Sequence, residues 1–213
     1  MNGSLINFAE AHVDLGITVD RNLKFHGYIK NRVNIAGALT NNILSSTVCR
    51  ERDFLLTLFT THVRPQLEYG SVLWNQGYIT DNRLLEKAQR RWTRSVAGLE
   101  GLPYEHRLRA LNLFSIKGRL LRADLIYTWK VFSGMCAVQP FQLFSPALGQ
   151  TTRGHSLKLQ VERSRLDIRK RCFSRRIVSV WNSLSQDTVS ATSLESFKRG
   201  LHGDLGDRLF DFD

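Results

Sequence analysis

Thr80-Asp81-Asn82-Arg83-Leu84-Leu85-Glu86-Lys87-Ala88-Gln89-Arg90-Arg91-Trp92-Thr93-Arg94-Ser95-Val96 carries the clearest period in the chain. Leu84, Leu85, Ala88, Trp92, Ser95 and Val96 fall on one helical stripe, and Thr80 or Asp81 is placed to cap its start. The cations Arg83, Lys87, Arg90 and Arg94 step by four, three and four residues, which sets them in one row on the opposite, outer face. Like charges one turn apart repel by roughly a few tenths of a kcal/mol per pair, and a single Glu86 relieves this only in part. A row that costs stability without helping the chain fold points to an anion outside the chain.

The same period recurs on both sides. From 25 to 44, Tyr28, Ile29, Val33, Ala36, Leu39 and Ile43 return at helical spacing. A second helix starts near Glu51 with Leu55, Leu58, Phe59, His62 and Val63 inward, His62 reading as a core histidine; Pro65 is expected to kink or end it. Pro103 sits at the first position of a short helix through Leu111. Ser115 caps a long helix to about Phe132, with Gly134 as its stop. Apolar residues cover most of that helix, which places it at the centre of a bundle.

The ends differ. Val13-Asp14-Leu15-Gly16-Ile17-Thr18-Val19-Asp20 alternates like a strand and leads to a turn at Asp20-Arg21-Asn22. Residues 138–150 hold Pro140, Pro146 and Gly149 without a period and read as a linker. Beyond it, 151–171 reads as loop and short strand, 173–184 as a helix, and Ser193 opens a last helix before an acidic end expected to fray. The expected fold is mainly α, divided into 1–24, a helical bundle over 25–137, a linker over 138–150 and a smaller basic α+β region over 151–213.

The 213 residues suffice for a buried core, and 42% hydrophobic with 23% charged residues is ordinary for a globular chain. No apolar run approaches the roughly 18 residues of a spanning helix, and the first residues lack a signal-peptide pattern. Cys49, Cys136 and Cys172 are too far apart for paired zinc ligands or a disulfide framework, which points to an intracellular chain, nuclear or cytoplasmic.

The charge is unusual: 30 Lys and Arg against 19 Asp and Glu give +11. The stretch 83–94 contributes +4. The stretch 153–176, with Arg153, Lys158, Arg163, Arg165, Arg169, Lys170, Arg171, Arg175 and Arg176 against Glu162 and Asp167, contributes +7. Those two windows account for the whole excess. Arginine outnumbers lysine 22 to 8, and guanidinium grips phosphate bidentately, so nucleic acid is the expected partner rather than membrane or small molecule. The plain alternative is a solvated basic face. No glycine-rich phosphate loop, nucleophile elbow or paired-histidine motif is present, and no cofactor or metal is expected. His155, in Thr152-Arg153-Gly154-His155-Ser156, is either a phosphate contact or a turn residue bonded to its own loop.

Several segments in order resemble a known family. They are the strand 13–20, Val63-Arg64-Pro65-Gln66-Leu67-Glu68-Tyr69-Gly70-Ser71-Val72-Leu73-Trp74, Leu84-Leu85-Glu86-Lys87-Ala88-Gln89-Arg90-Arg91 and Leu102-Pro103-Tyr104-Glu105-His106-Arg107-Leu108. Leu111-Asn112-Leu113-Phe114-Ser115-Ile116, Arg119-Leu120-Leu121-Arg122-Ala123-Asp124-Leu125-Ile126, Thr152-Arg153-Gly154-His155-Ser156 and the stretch 173–184 continue the series. Together they resemble the C-terminal third of non-LTR retrotransposon reverse transcriptases of the jockey and chicken-repeat type, over about 13–201. The resemblance implies a palm-end strand, a thumb over 25–134 that holds a primer–template duplex, and a C-terminal region after 149. That family's catalytic aspartates sit in an aromatic-x-Asp-Asp turn, which nothing here matches, so no catalytic residue is carried over.

The expectation is therefore a fragment of an RNA-directed DNA polymerase, not an enzyme by itself, that binds nucleic-acid backbone without sequence preference. Its contacts would be Arg83, Lys87, Arg90 and Arg94 with Arg153, Arg163, Arg165, Arg169, Lys170, Arg171, Arg175 and Arg176. The alternatives are a decayed element without activity and a helical module that binds protein.

Overall fold

The computed structural model describes residues 9–147 and 154–212. Among the described residues the one sheet is a hairpin of β1 (Ala11–Asp14) and β2 (Ile17–Asp20), pairing Ala11 with Asp20 and Asp14 with Ile17. The single strand expected over 13–20 is instead folded in two. Leu15 and Gly16 both take positive φ (46° and 78°), the tight turn that suits a two-residue hairpin. The turn expected at Asp20 is present. Its carboxylate accepts the backbone N–H groups of Asn22, Lys24 and Phe25. Partial burial works against the charge, yet those bonds hold the carboxyl below its usual range.

Most of the remaining secondary structure is helical. The first half comprises α1 (His26–Ser46), α2 (Arg52–Leu58), a π-helical turn (Phe59–Val63), α3 (Arg64–Glu68), α4 (Ser71–Trp74), α5 (Ile79–Thr93) and α6 (Tyr104–Leu111). Then come α7 (Ile116–Phe132), α8 (Pro140–Leu143), α9 (Asp167–Arg171), α10 (Phe173–Arg176), α11 (Val178–Asn182), α12 (Gln186–Val189), α13 (Leu194–Leu205) and a 3₁₀ turn (Gly206–Leu209). Pro65 does not end its helix. The widened turn ahead of it, in which Arg64 N–H bonds the Phe59 carbonyl, lets helical backbone run on through α3. His62 projects into solvent, contrary to its reading as a core residue.

The caps divide between expected and not. Ser115 Oγ accepts the Gly118 N–H at 2.9 Å, and Ser193 with Ser196 forms a reciprocal box at the start of α13. Gly134, at φ 69°, follows the end of α7. Neither Thr80 nor Asp81 caps α5, which begins at Ile79; Asp81 is buried, with an oxygen 2.7 Å from His26 Nδ1. Pro103 lies one residue before α6 rather than within it.

Two apolar clusters share α7. Phe59, Trp92, Leu108 and Leu120 belong to the first, and Leu125, Trp129, Trp181 and Phe197 to the second. The segment read as a linker is stitched into the second: Phe144 is buried there, and Pro146 pairs with Leu159 in an antiparallel bridge. That bridge is the β-structure of the C-terminal region among its described residues, and Asp167–Arg171 is helix rather than strand. The acidic end is docked, not frayed. Leu205 and Leu209 are buried, and Ser115 donates its N–H and Oγ–H to the Leu209 and Asp211 carbonyls.

Candidate nucleic-acid interface

α5 buries one face and exposes the other. Leu85, Ala88 and Trp92 turn inward as their spacing predicts, whereas Leu84 is exposed. Beneath the helix lies a polar node. Glu86 is 1% exposed and accepts the Tyr104 hydroxyl and, at 3.0 Å, the Lys117 N–H. Gln89 donates to Tyr104 Oη and to the Phe114 carbonyl. Burial pushes the Glu86 carboxyl upward despite these donors, and burial with Glu86 alongside pushes the Tyr104 phenol well above its ordinary value. Glu86 therefore points away from the outer row.

Of that row, Arg83, Lys87 and Arg94 are exposed, with no side-chain hydrogen bond or ion pair among the described residues. Arg91 is exposed beside them and donates to Asn41. Arg90 is different. Its guanidinium lies 4.8 Å from the Tyr104 ring centroid and 4.7 Å from that of Phe212, a stacked position at the edge of the face. Behind the row Arg107 is 3% exposed and donates to Thr93 Oγ1 and the Leu102 carbonyl, tying the end of α5 to α6.

The second group of cations divides as well. Arg163, Arg165, Arg169 and Lys170 are exposed, Lys170 with Asp167 at 3.2 Å. Arg171 donates to the Gln76 carbonyl and lies 4.3 Å from the Tyr78 ring centroid. Arg175 pairs with Glu162, whose carboxyl it and Ser145 hold at about 2. Arg176 forks onto Asp124 and also donates to the Val72 carbonyl. The last three are committed to internal partners, which leaves four exposed cations here. Arg153 lies outside the described residues.

His155 is fully buried, its Nε2 2.9 Å from the Trp181 carbonyl, and burial lowers its pKa. It braces α11 rather than facing solvent. Among the described residues no cluster of His, Cys, Asp and Glu could hold a metal, and no helix is long and apolar enough to cross a membrane.

The fold also assembles a basic set that the sequence pattern does not single out. Arg119, Arg122 and Lys130 share one face of α7 and line a groove against Glu68 and Val72. Arg119 and Arg122 stand one turn apart and Lys130 returns to the same face eight residues later, a signal masked by the many apolar residues of α7. Compared with protein-family models, curated proteins and solved structures, the chain has no match.

Proposed function

We propose that this chain is the C-terminal, thumb-bearing part of a non-LTR retrotransposon reverse transcriptase, and that it binds nucleic-acid backbone without catalysing polymerisation itself. The observation that carries the binding is the outer face of α5, where Arg83, Lys87, Arg91 and Arg94 are exposed and make no ion pair among the described residues. Such a face suits phosphates spaced along a duplex and reads no bases. The order of the segments from 13 to 201 supports the family assignment. The exposed Arg163, Arg165, Arg169 and Lys170 are candidates for a second run of backbone contacts.

Fluorescence anisotropy with an RNA–DNA hybrid, duplex DNA and single strands across a salt series tests the reading. Contacts to about four to eight phosphates give a slope of log K against log salt of roughly −3 to −7. In the triple variant Arg83→Ala, Lys87→Ala, Arg94→Ala the slope flattens by about 3. A folded chain that binds none of these at low salt overturns the proposal.

A further inference from the structure

A groove of about 320 Å³ runs along α7 where it passes α3 and α4. Its apolar lining comes from Val72, Ala123, Ile126 and Tyr127, whose ring also meets Phe173 at 5.4 Å between centroids. Cations stand at both ends: Arg119 and Arg122 at one, Lys130 at the other, spread over about 16 Å of helix. The volume lies at the lower end of the range for small-ligand sites.

The charges are unevenly partnered. Arg119 forks onto Glu68, which also lies 3.9 Å from Arg64. One carboxylate thus serves two guanidiniums. Arg122 has no hydrogen bond or ion pair among the described residues; Glu195, the carboxylate that acts on it at longer range, is engaged by Lys198 at 2.7 Å. Burial and the Arg119 charge both lower the Arg122 pKa, the response of a cation held half-buried beside another cation. Lys130 likewise has no ion pair among the described residues. Arg119, Arg122 and Lys130 against Glu68 leave the lining at +2, with Glu195 acting on Arg122 only at longer range.

We infer that this groove binds a nucleoside phosphate, free or as a nucleotide of a single strand, with the phosphate at Arg119 and Arg122 and the base against Ile126 and Tyr127. An anion there supplies the partner that Arg122 lacks. The apolar lining selects a ligand with a flat, weakly hydrated part over inorganic phosphate alone. Lys130 lies about 12 Å along the helix from Arg122, a span that fits a second phosphate two nucleotides along a strand. No residue of α5 lines the groove, so each site is tested by its own variants.

The test is titration calorimetry on the full chain with 5′-AMP, adenosine, inorganic phosphate and the single strand (dT)4. Duplex binding is measured on the same preparations, and folding is checked by thermal melting. Binding of 5′-AMP about tenfold or more above adenosine and above phosphate is expected, with a similar loss in Arg122→Gln. Arg83→Ala with Lys87→Ala weakens duplex binding and leaves 5′-AMP unchanged. Tighter binding of (dT)4 than of 5′-AMP, lost selectively in Lys130→Gln, identifies a strand as the source; equal binding, unchanged in Lys130→Gln, identifies a free nucleotide. Adenosine binding as well as 5′-AMP, unchanged affinity in a folded Arg122→Gln, or binding of none of the probes overturns the inference.

Discussion

Arg176 donates two parallel hydrogen bonds of 2.9 Å to the Asp124 carboxylate, joining α10 to α7 across 52 residues of sequence. The carboxylate is 2% exposed, and the same guanidinium also satisfies the Val72 carbonyl. A cation counted among the nucleic-acid contacts is thus a clamp between the C-terminal helices and α7. Removing one partner of a buried pair strands the other, so Asp124→Ala should cost about 3–5 kcal/mol in urea denaturation at neutral pH. A cost below about 1 kcal/mol contradicts this role.

Burial pushes the Asp124 carboxyl up to about 6 although Arg176 pulls it down. Its ordinary value is 3.8, so between about pH 4 and 6 the folded chain holds this proton while the unfolded chain releases it. The contribution of this group to stability therefore falls as pH rises through that window. In Asp124→Asn that slope should vanish, which stability measurements at intervals from pH 4 to 7 would reveal.

Tyr104→Phe removes a donor from the buried Glu86 and an acceptor from Gln89. The expected loss is about 1–3 kcal/mol, with the Glu86 carboxyl displaced further upward. Chemical denaturation combined with NMR titration of the carboxyl carbon checks both. An unaltered midpoint would show that the node adds nothing.

The row on α5 should separate by function. Arg90→Ala loses two ring contacts and lowers stability by about 1 kcal/mol or more, whereas Arg83→Ala, Lys87→Ala and Arg94→Ala leave the melting temperature nearly unchanged. Melting curves of the four single variants decide the point, and equal effects in all four would contradict it.

Gly118 tests the docking of the C-terminal end. A Cβ there would lie 2.3 Å from the Leu209 carbonyl oxygen, and that backbone atom cannot swing aside as a long side chain can. Gly118→Ala should therefore destabilise by about 1–3 kcal/mol, despite the higher helix propensity of alanine. Faster amide exchange at Leu209 and Phe210 should accompany the loss.

The features legible in the sequence are those whose physics is local. Helical periodicity placed Tyr28, Leu55, Trp92 and Val96 in the core, and Ser115 and Ser193 were readable as caps because an N-cap acts on backbone three residues away. The exposed Arg83, Lys87 and Arg94 follow from the same spacing. Tertiary structure decided the rest. Whether an arginine faces solvent or a buried carboxylate depends on partners far along the chain, so Arg163 and Arg176 look alike in sequence and differ in space. Pro65 remains within helical backbone because a π turn rearranges the bonding just ahead of it. The acidic end is held because the Leu209 and Asp211 carbonyls meet Ser115, 94 and 96 residues earlier, a long-range pairing that only the closed fold brings together.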